Sequence, residues 1–165
     1  MHIPLYRALY LDQILNDQNG ISFTSGQQYR HLIKEFKTIN ESDYEVPKSL
    51  DNTLRPYQKD GFRWLRVLYE YGFGGILADD MGLGKTIQTL TFLLSLKEEK
   101  KEVSTIIISP SSLVFNWKAE VQKFTPKLSA QTVVGTAKER EKIIKDHSKY
   151  DILITSYDLL KRDIA

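Results

Sequence analysis

The chain has 165 residues, 41% hydrophobic and 27% charged, the length and balance of one soluble globular domain with a real core. Its net charge of +2 is too slight to argue for or against nucleic acid on electrostatics alone. The absence of cysteine excludes disulfides and thiolate metal sites and fits a reducing compartment, and no apolar run approaches the ~18 residues of a membrane span.

The opening "MHIPLYRALYLDQ" lacks the basic flank and apolar core of a signal peptide. Instead Leu5, Leu9, Leu11, Ile14 and Leu15 recur at mostly helical intervals after Pro4, predicting a helix that ends in "NDQNG". A second amphipathic segment follows Ser25, with Tyr29, Leu32, Ile33 and Phe36 on one face. "NESDYEVPKS" is polar and aperiodic, a connector, so residues 1–48 are expected to form a helical preface and 49–165 the main domain.

From Leu54 the pattern changes. "LRPYQKDGFRWLRVLYEYG" predicts a helix with Pro56 near its start and Gly72 as its stop. "GGILADD" reads as a short strand, "KTIQTLTFLLSLKEEKK" as a helix, and "STIIISP" as a strand rich in β-branched residues. "SLVFNWKAEVQKF" is a helix closed by Pro126, "SAQTVVG" a short strand, and "TAKEREKIIKDHSKY" a polar helix. "DILITSYDLL" reads as a strand running into a turn. Strands alternating with helices predict an α/β layer around a parallel sheet.

The chemistry-bearing stretch is "ILADDMGLGKTIQTL". Small residues let backbone N–H groups curl around phosphate oxygens, and the following helix offers its positive N-terminal end. Lys85 is then placed to reach the β- and γ-phosphates and the Thr86 hydroxyl to ligate magnesium. Asp79 stands where the strict phosphate-loop pattern has its first glycine, but an apolar strand before the loop and a helix after it favour phosphate binding over a chance Lys-Thr. Asp79 and Asp80 are expected to shape the loop or to hold the lysine rather than to form a metal site.

These residues carry a family resemblance. "ADDMGLGKTIQTL" resembles the first motif of the Swi/Snf-type helicase-like ATPases, where an acidic pair precedes M-G-L-G-K-T. In the same order, "LRPYQKDGFRWL" resembles that family's adenine-side motif, "IIISPSSLVFNWKAEVQKF" its second conserved block and "DILITSYDLL" the next. The preface is similar to the segment before the motor in bacterial members. The resemblance implies an ATP-driven motor that translocates on double-stranded DNA, with two RecA-like lobes and ATP and Mg2+ between them. It implies nucleotide contacts from Arg55, Tyr57, Gln58, Asp80, Met81, Gly82, Leu83, Gly84, Lys85 and Thr86. Packing by Tyr57 and helix capping by Gln58 is the plainer alternative for the adenine block.

It further implies backbone contacts to DNA from Ser109, Pro110, Ser111 and Ser112, and from Thr155, Ser156 and Tyr157. Helix capping by Ser111 or Ser112 is equally good physics, and the two roles are compatible. Trp64 and Trp117 are expected to pack. The partners implied are double-stranded DNA and a DNA-bound protein or polymerase-type complex, in the cytoplasm, at the nucleoid of a bacterium. The family's Asp-Glu metal motif follows shortly after the "TSYDLL" block and is not found in this chain. The chain is therefore expected to be the first part of lobe 1, inactive or nearly so in isolation. The alternatives are a lobe of a strand-separating helicase or restriction translocase, and a non-catalytic nucleotide-binding module.

Overall fold

The computed structural model describes Gly26, Gln27, Arg30, His31, Lys34, residues 44–99 and residues 101–164. The helix expected over 4–15 and the apolar face of the segment after Ser25 lie outside the described residues. The described residues fall into two compact units, those of Met1–Glu45 with Asp60–Ala78, and Val46–Lys59 with Asp79–Ala165.

In chain order the elements are α1 (Lys48–Asp51), α2 (Pro56–Glu70), α3 (Lys85–Glu98), β1 (Thr105–Ser109) and α4 (Val114–Phe124). These are followed by β2 (Ala130–Thr132), α5 (Ala137–Lys145), β3 (Ile152–Ser156) and α6 (Tyr157–Ile164). The three strands form one parallel sheet in the order β1-β3-β2. Parallel strands need long crossovers, and here α4 and α5 supply them. The register sets Thr105 opposite Ile152 and Ser109 opposite Ser156, so β1 and β3 finish level.

In the second unit, Leu90, Leu93 and Leu94 of α3 pack with Ile107, Ile152 and Ile154 of the sheet and Val114 and Val121 of α4. Helix α3 is buried on nearly every side, and two of its buried hydroxyls bond back along the helix. Thr91 donates to the Ile87 carbonyl (2.7 Å) and Ser95 to that of Phe92 (2.8 Å). Trp117 packs on this core, as expected. In the first unit Phe62, Val67 and Leu68 are buried, the Arg66 guanidinium lies 4.7 Å from the Tyr44 ring centre, and half-buried Trp64 lies against the backbone at Gly75.

The sheet's amino edge closes on itself at Asp151. Its carboxylate accepts from the Lys97 ammonium, the Ser129 N–H (2.7 Å) and the Ser129 hydroxyl (2.8 Å). Burial pushes this carboxyl up, but those three donors outweigh it and hold it below the ordinary range.

Two expectations need correction. "GGILADD" is not a strand: residues 73–80 have no regular secondary structure, and Ile76 is 87% exposed. A strand is defined by a ladder partner, and no described strand pairs with this segment. The stretch after β3 is not a turn but helix α6, whose first turn closes where the Ser156 hydroxyl accepts from the Leu159 N–H (3.3 Å).

Candidate functional site

Helix α3 starts directly after two glycines in left-handed backbone, Gly82 (φ 86°) and Gly84 (φ 83°). Gly84 is its N-cap and offers no side chain to its first turn, so no capping group competes for those N–H groups. The Lys85 ammonium donates to the carbonyls of Asp79 (2.6 Å) and Asp80 (2.9 Å). The acidic pair therefore holds the lysine through backbone oxygens. The Asp79 carboxylate is engaged elsewhere, accepting from the Gln88 amide nitrogen (2.8 Å).

Gln88 is fully buried, and its amide oxygen has no hydrogen-bond partner among the described residues. It is a site residue that sequence reasoning passed over. Its place one turn along α3 from Lys85 was the available signal. Thr86 is half-buried, and Asp80, Met81 and Gly82 are exposed.

The adenine block sits on this loop. The Gln58 amide nitrogen donates to the Leu83 carbonyl (2.9 Å), as does the Tyr57 hydroxyl (3.0 Å). The other end of the Gln58 amide accepts from the Arg55 N–H (2.9 Å). Gln58 approaches so closely that a Cβ on Gly84 would lie 2.4 Å from its nitrogen, which together with the positive φ leaves glycine alone suited to that position. Gln58 is buried by these contacts, whereas Tyr57 remains 37% exposed.

The strand-end blocks divide. Pro110, Ser111 and Ser112 are exposed. Ser109 is buried, as are Thr155 (3% exposed) and Ser156. The Thr155 hydroxyl donates to the Val133 carbonyl (3.1 Å) and Ser156 caps α6, so both hydroxyls serve the fold, and Tyr157 (54% exposed) is the side chain of its block that faces outward. Because Ser109 and Ser156 are in register, the two blocks leave neighbouring strands at one edge.

The residues fit a bound polyphosphate: a lysine held by neutral carbonyls, two left-handed glycines and an open helix start. For a magnesium ion they offer the Thr86 hydroxyl, and among the described residues no cluster of three or more His, Cys, Asp or Glu completes a metal site.

A parallel sheet wrapped by helices, with a glycine loop opening a buried helix, defines a RecA-like nucleotide-binding lobe. The chain belongs to the SNF2 family: the SNF2-related domain matches residues 57–165, and the bacterial SNF2 helicase associated domain matches residues 1–47. It is 40% identical to the Bacillus subtilis protein YwqA over 147 residues, 87% of this chain and 16% of that protein. With helicase SWR1 of Candida albicans it shares 44% identity over 125 residues, 73% of this chain and 8% of that protein. The chain thus spans a small part of the relatives it matches. Among solved structures, the Sulfolobus solfataricus SWI2/SNF2 ATPase core in complex with double-stranded DNA superposes with a TM-score of 0.61 at 39% identity, covering 74% of this chain and 24% of that one.

Proposed function

We propose that this chain is the nucleotide-binding part of an ATP-driven motor that translocates on double-stranded DNA, with residues 1–48 as a preface and 49–165 as the first part of lobe 1. The observation that carries the proposal is the Lys85 ammonium resting on two carbonyl oxygens within one loop. Neutral acceptors give way to a phosphate, whose charged oxygens bind an ammonium more strongly. Support for DNA comes from the Sulfolobus core, solved with duplex DNA, and support for translocation from YwqA, named as a candidate ATP-dependent helicase/translocase.

In this reading the N–H groups of Gly82 to Thr86 and the start of α3 bind the phosphates, and Lys85 exchanges its carbonyls for the β- and γ-oxygens. The Thr86 hydroxyl would hold magnesium, which would supply charge neutralisation at the phosphates. Tyr57 offers a face to the adenine. The Gln58 amide nitrogen also lies 3.4 Å from the Tyr57 hydroxyl, so it donates to adenine only by surrendering Leu83 or Tyr57, and its first effect is on the loop. Pro110, Ser111, Ser112 and Tyr157 meet DNA phosphates, contacts that position without reading sequence. The substrate is a protein or polymerase-type complex on DNA, acted on in the cytoplasm; no described helix is long and apolar enough to cross a membrane.

The test uses the complete protein. Duplex DNA should stimulate phosphate release from ATP and drive displacement of a triplex strand without duplex unwinding, and Lys85→Ala should abolish both. Unwinding of a forked duplex would assign the lobe to a strand-separating helicase. Absence of ATP turnover with any DNA would leave a nucleotide-binding module.

A further inference from the structure

Helix α6 follows directly from the strand end that carries Tyr157, yet it has no buried residue. Leu159 and Leu160 are half-buried and Ile164 is exposed, so apolar packing holds the helix weakly. Its polar anchors sit at its two ends. At the start, Ser156 caps it. Near the finish, Asp163 receives the Arg140 guanidinium of α5, with Nε at 2.9 Å from Oδ2 and 3.1 Å from Oδ1 and a terminal nitrogen also on Oδ1.

The Arg140 side chain is only 7% exposed. Its other terminal nitrogen donates to the Gly135 carbonyl (2.7 Å). Gly135 has φ 100°, and a Cβ there would lie 2.6 Å from the Glu139 carboxylate that closes the capping box of α5 with Thr136. A glycine therefore lets this carbonyl and that cap coexist. The same short segment also meets the end of β3, where the Val133 carbonyl accepts from the Thr155 hydroxyl. Residues 133–135 thus hold the strand before Tyr157 directly and the helix after it only through Arg140.

On α6, Tyr157 and Lys161 are four residues apart and share a face, and both are exposed. An exposed tyrosine and lysine on one helical face, beside the exposed Ser111 and Ser112 of the neighbouring strand end, suit a phosphate backbone.

We infer that Arg140 is a positioning residue for the DNA edge: by clamping Asp163 it sets the direction of α6 and so where Tyr157 and Lys161 meet the backbone. The inference rests on reading the strand ends as that edge. Only an arginine has the planar fork to serve both carboxylate oxygens and the Gly135 carbonyl together, so Arg140→Lys is not conservative here.

The test follows the complete protein carrying Arg140→Lys or Arg140→Met, with Asp163→Asn, nearly identical in shape, as the variant least prone to misfold. Amide exchange over residues 157–164 should quicken about tenfold while β3 keeps its protection. The DNA concentration for half-maximal stimulation of ATP turnover should rise several-fold, with KM for ATP and the DNA-independent rate unchanged. Unaltered exchange in α6, or a lower Tm with an unchanged DNA requirement, would overturn the clamp. Tyr157→Ala with Lys161→Ala separates the two layers. If that pair leaves the DNA requirement unchanged, the reading of the edge fails and the inference falls with it. If the pair raises the requirement and the Arg140 and Asp163 variants do not, the clamp alone is refuted.

Discussion

The phosphate loop and the strand-end block at residues 155–157 both carry polar residues matched to family motifs, but their polar atoms are differently employed. The Lys85 ammonium rests on two neutral carbonyls, acceptors that, in the proposed reading, a phosphate would displace. The Thr155 and Ser156 hydroxyls are buried and spent on Val133 and Leu159. A motif residue serves a ligand directly only where its polar atoms are releasable; otherwise it serves by holding its neighbours. The block at 155–157 delivers Tyr157 and its backbone to the edge, and its two hydroxyls keep that edge in place.

The sharpest break of this contrast is Lys85→Ala. In the complete protein it should lower ATP turnover by about 100-fold or more, since a preorganised charge is lost from the phosphates. Thermal stability should barely change, because the freed carbonyls belong to a largely exposed loop. A large drop in Tm would show that Lys85, like Thr155, is part of the fold.

Next in size is Gln58→Glu. A carboxylate still accepts from the Arg55 N–H but cannot donate to the Leu83 carbonyl, so the loop loses a strut and gains a repulsion. KM for ATP should rise about tenfold, the factor given by ~1.4 kcal/mol. Because the contact is to the loop, KM for GTP and inhibition by pyrophosphate should weaken in parallel. Loss confined to ATP would instead make Gln58 a reader of adenine.

Local patterns were legible in the sequence, and contacts distant along the chain were not. Helices α2, α3 and α4 and the β-branched strands β1 and β3 follow from periodicity and stop signals, and the phosphate loop from a contiguous motif. The segment 73–80 has strand composition, but composition cannot supply a ladder partner. Helix α6 was hidden by the apolar run before it, although Ser156 as cap, Asp158 in the first turn and Lys161 and Arg162 in the last are ordinary helix signals. The struts from Gln58 to Leu83 and from Arg140 to Asp163 join residues 25 and 23 apart, and no local pattern encodes them.

Paired substitutions at the two strand ends test the same contrast at smaller scale. Thr155→Val keeps the shape of the side chain but leaves the buried Val133 carbonyl without its donor, and should cost about 1–3 kcal/mol of stability. Ser111→Ala with Ser112→Ala removes exposed hydroxyls, and should change stability within about 0.5 kcal/mol while raising the DNA requirement about twofold to fivefold. Denaturant midpoints and DNA titrations of both variants decide the matter. If Thr155→Val raised the DNA requirement at unchanged stability, its hydroxyl would belong with Lys85 among the releasable groups.

The smallest effect concerns pH at the clamp behind Tyr157. The hydrogen bonds from Arg140 hold the Asp163 carboxyl below the ordinary carboxylate range; burial opposes them, and the nearby Arg162 adds to the lowering. A carboxyl depressed in the folded state stabilises fully above its unfolded value of about 3.9, and loses that contribution as pH falls through the folded value. Arg140, raised by the same partner, stays charged throughout. The ratio of amide-exchange rates over residues 157–164, Asp163→Asn to wild type, cancels the intrinsic pH dependence of exchange. It should stay constant from about pH 8 to pH 5 and fall toward unity below about pH 4, as the wild-type carboxyl protonates and comes to match asparagine in charge. A ratio that stayed level to about pH 3, with protection of β3 retained in the same samples, would mean that shape rather than charge holds α6, and that the clamp is no ion pair in function.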